Sequence, residues 1–352
     1  MHMADALISP AVGGTMWAAT AALAAYSGKK LRQVQDDRKV PLMGVLGAFI
    51  FAAQMINFTI PATGSSGHLG GGMILSILLG PHAAFLTMAS ILTVQALFFA
   101  DGGLLALGCN IFNLGFFPCF VAYPLVYRKI SGDNPTPGRI LAGSLAASIL
   151  ALQMGAFGVV LQTTLSGVSE LPFGTFVLLM QPIHLAIGIV EGLATAFVVT
   201  FVWRARPEVL EAAATGKART PFPLKGVLAG LLAVTAVTGG ALSWFASAHP
   251  DGLEWSMFRT SGKEELDAPE QGPHAWLGRF QEKTAILPDY GFPAGEETEE
   301  PTESGGTPET AKAEPWPSIS AGTTVSGLVG AFLTLALAGL IGLGLRRYHS
   351  KS

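Results

Sequence analysis

Between Val40 and Tyr127 the chain carries a single Asp, Glu, Lys or Arg, and that residue is Asp101. No water-soluble fold can solvate the surface of such a stretch, whereas a bilayer requires long runs without charge. Across its 352 residues the chain is 50% hydrophobic and only 13% charged, against about a quarter charged in ordinary soluble domains. The net charge of -3 sums local excesses that cancel, and their distribution gives no support to nucleic-acid binding. The two cysteines, Cys109 and Cys119, sit in one apolar stretch, a placement that suits packing and neither a disulfide framework nor a CxxC metal knuckle.

At about 20 apolar residues per crossing, the sequence predicts membrane helices over 10–28, 40–60, 82–100, 103–127, 138–165, 172–203, 224–246 and 322–345. Residues 69–80 are apolar but too short to cross unaided, and Pro81 ends them. Counting that piece as a crossing gives nine membrane helices and lets every connection be tested for positive charge. With the N-terminus outside, the inner segments 29–39, 127–139, 204–226 and 346–352 hold sixteen of the 21 Lys and Arg residues. The short outer connections near 61–68, 101–102 and 166–171 hold none. The other five lie in 247–321, a segment longer than the roughly 60 residues within which the rule operates.

The expected fold is an all-α polytopic membrane protein, with a seven-helix bundle over 1–203, an inner charged linker over 204–223, and a two-helix C-terminal unit over 224–352 around a long outer loop. Within that loop 293–317 is rich in Glu, Pro, Thr and Gly and reads as disordered. No Lys or Arg precedes Lys29, so the start does not read as a signal peptide and is expected to be mature as written.

Several chemistries are excluded by their missing motifs. The Gly-Lys pairs at Gly28, Gly216 and Gly262 lack the P-loop spacing and hydroxyl, so ATP use would have to come from a partner. Neither H-E-x-x-H nor G-x-S-x-G occurs, which removes the usual signs of a metalloprotease or serine hydrolase.

The start Met1-His2-Met3 carries the sharpest chemical signal. A histidine at position 2 lets the terminal amine, the deprotonated amide nitrogen of His2 and its Nδ1 close two chelate rings in one plane. Such a tetragonal nitrogen set suits Ni(II) or Cu(II) over Zn(II) or Mg(II). The bulky second residue is expected to leave Met1 in place. One ligand is still wanting, and His68 in GSSGHLGGG (Gly64 to Gly72) is the natural candidate. Its glycines allow close approach and left-handed backbone, while Ser65, Ser66 and Asn57 are candidate outer hydrogen-bonders around the ligands. Gln54 points toward the same loop by sequence proximity. An exposed flexible turn is the alternative reading of this segment.

Other polar groups signal less. His184 and Glu191 are seven apart on one predicted helix and read as a buried structural pair or as marks of an ion route. His82, after Pro81, reads as a helix-end hydrogen-bonder. His249 and His274 lie in the outer loop without a closed ligand set. Asp5 is the nearest carboxylate in sequence, and none is expected beside His2 or His68. In the first helix Ala18 and Ala22, with Ala21 and Ala25, give a small-xxx-small stripe suited to close contact inside the bundle or with another subunit.

At these residues the chain resembles the substrate-binding membrane component of nickel and cobalt energy-coupling-factor transporters, the CbiM/NikM family. The likeness rests on MHMADALISPAVGGTMW, on QMINFTIP followed by GSSGHLGGG, and on HLAIGIVEG at 184–192. It implies a seven-helix bundle with its N-terminus plugged inward, holding Ni(II) or Co(II) as transported substrate through the Met1 amine, the amide and imidazole of His2, and His68. It also implies partners: a transmembrane coupling subunit (T component) and two ATP-binding subunits (A components) in a cell membrane. The second unit, with PDGLEW at Pro250 to Trp255, resembles the small CbiN/NikN component and is expected to assist loading. A secondary transporter or channel for a transition-metal ion is the competing class, and a membrane metalloenzyme would need a base near the metal.

The charge pattern makes a direct prediction. Cysteines placed at Ser261 and Gln35 are expected to react with membrane-impermeant thiol reagents from opposite sides, and same-side labelling would overturn the orientation.

Overall fold

The computed structural model describes residues 2–33, 38–169, 171–215, 224–293 and 316–349. Met1, Gln35 and the bulk of the 293–317 segment lie outside the described residues, as do 216–223 of the linker. Helix α1 (Pro10–Arg32) begins where the Ser9 hydroxyl accepts the Val12 N–H, with Pro10 in its first turn, and ends on Lys29, Lys30 and Arg32. Both ends suit the helix dipole and its unpaired groups. Helix α2 (Lys39–Gln54) stops six residues short of the predicted end. The apolar run continues instead as β1 (Phe58–Ile60), paired antiparallel with β2 (Ser65–Gly67), Phe58 facing Gly67. Hydrophobicity alone hid this hairpin. The β-branched Thr59 and Ile60 favour strand, and the left-handed Ala62 and Gly64 turn the chain back.

Beyond the hairpin lie α3 (Gly72–Leu79), α4 (Pro81–Phe99), α5 (Leu107–Ser131), α6 (Pro137–Ser166) and α7 (Phe173–Ala205). Pro118 and Pro124 interrupt α5, which runs in π-helical register over Phe112–Tyr127 because proline offers no N–H to the ladder. Helices α6 and α7 lie close along Gly188 and Gly192, where a side chain would press on the backbone of Ile149 and Leu145. Four of these helices and the last one are long and apolar enough to cross a bilayer: α4, α5, α6, α7 and α12 (Ala321–His349). The chain is a membrane protein.

The linker is partly ordered. After α7 comes α8 (Pro207–Thr215), whose Ala213 carbonyl lies against Gly80 at the end of α3. The second unit also departs from a simple hairpin. Between α9 (Lys225–Gly240) and α12 the connecting segment folds into α10 (Gly252–Ser261) and α11 (Gly272–Thr284). Helix α10 starts at a capping box, in which the Asp251 carboxylate accepts the Leu253 and Glu254 N–H groups and Glu254 accepts that of Asp251.

Helix α12 packs along α2, with Gly44 facing Leu335 and Gly330 beneath the Phe51 ring, and it meets α9 where Gly239 and Gly327 touch backbone to backbone. A methyl at Gly327 would collide with the Gly239 carbonyl, which no rotamer change can relieve. Gly327→Ala is therefore expected to force the two helices apart at a cost of about 1–3 kcal/mol, read as a lower midpoint in thermal unfolding of the detergent-solubilised chain. An unchanged midpoint would show that this contact is not tight.

Candidate metal centre

Residues 2–8 enter the bundle without forming a regular helix or strand apart from one short turn at Asp5–Leu7, and Met3, Leu7 and Ile8 are fully buried there. Backbone groups in such surroundings need partners. Asn110 of α5 supplies two of them, accepting the Met3 N–H at 2.8 Å and donating to the Met3 carbonyl at 3.1 Å. The Gly103 N–H reaches the same carbonyl. Asp5 accepts the Ala106 N–H at 2.9 Å, and His274 of α11 donates from Nε2 to the Ile8 carbonyl at 2.8 Å.

This anchoring brings His2 onto His68. Their rings stack with centroids 5.1 Å apart and planes 12° from parallel. The side chain of His2 is only 8% exposed. His68 follows β2, and its Nδ1 lies 3.1 Å from the Leu69 carbonyl, a bond that puts the ring proton on Nδ1 and the lone pair on Nε2. Burial pushes the His68 imidazole down to about 3, with His2 adding to the effect, so at neutral pH the ring is uncharged, as a metal ligand must be.

Asp101 completes the cluster. Its Oδ1 lies 2.9 Å from Nδ1 of His2, and its Oδ2 accepts the Tyr290 hydroxyl at 2.5 Å. Burial works against the charge, yet His2 and the Tyr290 hydroxyl hold the carboxyl well below the usual carboxylate range. Burial and the adjacent Asp101 in turn raise Tyr290. The expectation that no carboxylate stands beside His2 or His68 is overturned. Ala100 and Gly102 at the end of α4 are both left-handed (φ 56° and 82°) and turn Asp101 back over the N-terminal segment. A Cβ at Gly102 would stand 3.3 Å from that of His2. Asp5, the expected neighbour, is spent on Ala106.

A small cavity beside His68 is lined by His184, Gly67, Gly252 and a second carboxylate, Asp251 of the PDGLEW segment. His184 donates from Nδ1 to the Met180 carbonyl at 2.8 Å, and its buried Nε2 has no hydrogen-bond partner among the described residues. Glu191 accepts the Gly70 N–H at 2.6 Å. The two groups thus bond elsewhere and not to each other. Gln54 also holds the glycine segment, donating to the Gly70 carbonyl at 2.9 Å and accepting from Gln95.

The other sequence candidates serve the hairpin and its cover. Ser66 donates to the His249 carbonyl at 2.7 Å and gives its N–H to Pro250 at 2.8 Å. Ser65 pairs with Thr63, and the Asn57 carbonyl accepts the Ser247 N–H. His82 contacts Ser27 of α1 at 3.4 Å and not its own helix end. Cys109 and Cys119 are buried thiols, and Ala18 and Ala22 face outward from α1. Sequence reasoning missed Tyr290, Asn110 and Asp251. For Asp101 the signal was present as the one charge in its stretch.

Two family descriptions match the chain. Residues 2–209 match the cobalt uptake substrate-specific transmembrane region, CbiM, and 225–347 match the PDGLE domain. A protein of Archaeoglobus fulgidus described as a fused nickel transport protein, NikMN, is 33% identical over 99% of both chains. A cobalt transport protein, CbiM, of Sorangium cellulosum is 29% identical over 60% of this chain and 95% of its own. The crystal structure of a truncated transition metal transporter shares 29% identity with a TM-score of 0.52, covering 58% of this chain and 99% of that one. With its stacked His2 and His68 beneath a PDGLEW-bearing cover, the chain belongs to the CbiM family of cobalt uptake transmembrane proteins, joined in one polypeptide to a PDGLE domain.

Proposed function

We propose that this chain is the substrate-binding membrane component of an energy-coupling-factor importer for nickel or cobalt ions. It takes the divalent ion from outside and releases it inside as the component reorients, driven by ATP-binding subunits through a transmembrane coupling subunit. The observation that carries this reading is the buried, stacked pair of His2 and His68 in a member of a cobalt uptake family. Relatives named for nickel and for cobalt support both ions as substrates, and both metals accept nitrogen donors.

The proposed ligands are the Met1 amine, the amide nitrogen and Nδ1 of His2, and His68. Among the described residues no group of three His, Cys, Asp or Glu side chains is placed to hold a metal ion. Two imidazoles alone are a weak site, so main-chain nitrogen is the natural complement. Metal capture then exchanges Asp101 for the ion at Nδ1 of His2. Ser65, Ser66 and Asn57 act further out, by fixing the hairpin that carries His68.

The nine-crossing arrangement with the N-terminus outside belongs to the same proposal. Helix α3 spans only about 12 Å at 1.5 Å per residue, but the glycine segment before it reaches Glu191, in the middle of α7, and its far end meets the linker helix α8. Segment and helix together support one passage. Exposed Leu178, Phe197 and Phe201 suit a lipid-facing side of α7. The outward Ala18 and Ala22 of α1 offer a close-packing face for the coupling subunit. The working units are 1–203, the linker 204–223 and 224–352.

The decisive test removes the amine as a donor and leaves every side chain in place. Acetylation of the Met1 nitrogen takes its lone pair out of the five-membered ring and is expected to weaken Ni(II) and Co(II) binding by more than about 100-fold, beyond the loss of an outer hydrogen bond. Isothermal titration of the purified chain reads the effect. An acetylated protein that binds as tightly as the native one would show that the amine is not a ligand.

A further inference from the structure

Among the described residues the second unit places no imidazole at the site, since His274 is spent on Ile8 and His249 meets Ser66 through its carbonyl, yet one of its side chains reaches the cluster. We infer that Tyr290 is a positioning residue for the metal centre: it holds Asp101 on the His2 imidazole, and it keeps Asp101 partnered when the metal takes His2. This inference rests on the reading of His2 as a metal ligand.

The geometry is a series of three groups, Tyr290 Oη to Asp101 Oδ2 at 2.5 Å and Asp101 Oδ1 to His2 Nδ1 at 2.9 Å. The tyrosine end is rigid. Its ring stacks on Phe99 with centroids 5.0 Å apart, and its edge faces Phe51. Two further bonds from the same loop clamp the turn that carries Asp101: Leu287 gives its N–H to the Phe98 carbonyl, and Gln281 donates to the Gly102 carbonyl at 2.8 Å. Asp289 and Tyr290 are themselves left-handed, with φ of 49° and 58°. Two consecutive residues with side chains seldom adopt that conformation, and such strain persists where the surroundings over-determine it.

The nitrogen that Asp101 holds is the one the chelate needs. Capture of a metal at Nδ1 therefore breaks the Asp101 bond to His2 and leaves a partly buried carboxylate in need of another donor. The Tyr290 hydroxyl is that donor. Without it the exchange strands the carboxylate, and a lost hydrogen bond to a charged group has a large penalty.

The test uses the full chain, with Ni(II) and Co(II) titrated into wild type, Tyr290→Phe, Asp101→Asn and the double variant. Tyr290→Phe keeps the ring stack and is expected to raise the Kd about tenfold, as loss of a hydrogen bond to a charge implies, while the visible bands of bound Co(II) stay unchanged because the ligands are the same. In the metal-free protein the ring-nitrogen NMR signals of His2 should move in both single variants, a response that general loosening of the loop would not confine to His2. In the Asp101→Asn background, Tyr290→Phe should add nothing. A Tyr290→Phe protein that binds like wild type, or a penalty that persists in full without Asp101, would overturn the inference while leaving the metal site standing. A wild-type chain that binds neither ion would instead overturn the reading beneath it.

Discussion

Asn110 holds both backbone groups of Met3, and the placement of His2, His68 and Asp101 at the candidate metal centre depends on that pair of bonds. A peptide outside regular secondary structure has no ladder of its own, and each unpaired N–H or carbonyl in an apolar bundle would cost several kcal/mol, roughly 2–7 depending on the surroundings. One carboxamide answers a donor and an acceptor together, as a neighbouring strand would. Gly103 and Asp5 extend the same stitching along the segment. The result is a fixed register: with Met3 locked on α5, His2 can lie only over the Asp101 turn and beside His68.

The PDGLE unit is built onto the parts that carry the site. Ser247 and Pro250 bond the hairpin, and Trp255 donates to the Thr63 carbonyl at its turn. His274 holds the N-terminal segment at Ile8, while Gln281, Leu287 and Tyr290 grip the turn between α4 and α5. His2, His68 and Asp101 are thus each restrained by the second unit, although their own helices belong to the first. Joining the units in one chain makes these contacts intramolecular, so weak individual bonds suffice to keep the cover in place.

The apolar helices were legible because a bilayer imposes its length on the sequence, and α4 to α7 and α12 fall within a few residues of their predicted bounds. The pairing of His2 with His68 was legible from chemistry, as two candidate ligands with glycine around one of them. The hairpin at 58–67 was not, since an apolar strand and an apolar helix end differ little in composition. Helices α10 and α11 were hidden for the opposite reason: their polar sequence reads as loop, although Asp251 and Glu254 spell a capping box. The contact between Tyr290 and Asp101 joins residues 189 apart, and no local periodicity encodes such a meeting.

Charge balance explains why the one acid of the apolar stretch stands where it does. On the proposed ligand set, a divalent ion displaces the amide proton of His2 and becomes a centre with one net positive charge. In a medium of low polarity an uncompensated charge is costly, and a carboxylate at hydrogen-bonding range offsets it. Asp101 is already ionised and oriented before any ion arrives, since His2 and Tyr290 both favour its charged form. On that ligand set the ion would stand near a carboxylate still hydrogen-bonded to Tyr290, and the bundle would not have to bury a new counter-charge. A neutral residue at 101 would leave the chelating nitrogens in place but remove that balance, which is a physical reason for a lone aspartate in 88 residues otherwise without Asp, Glu, Lys or Arg.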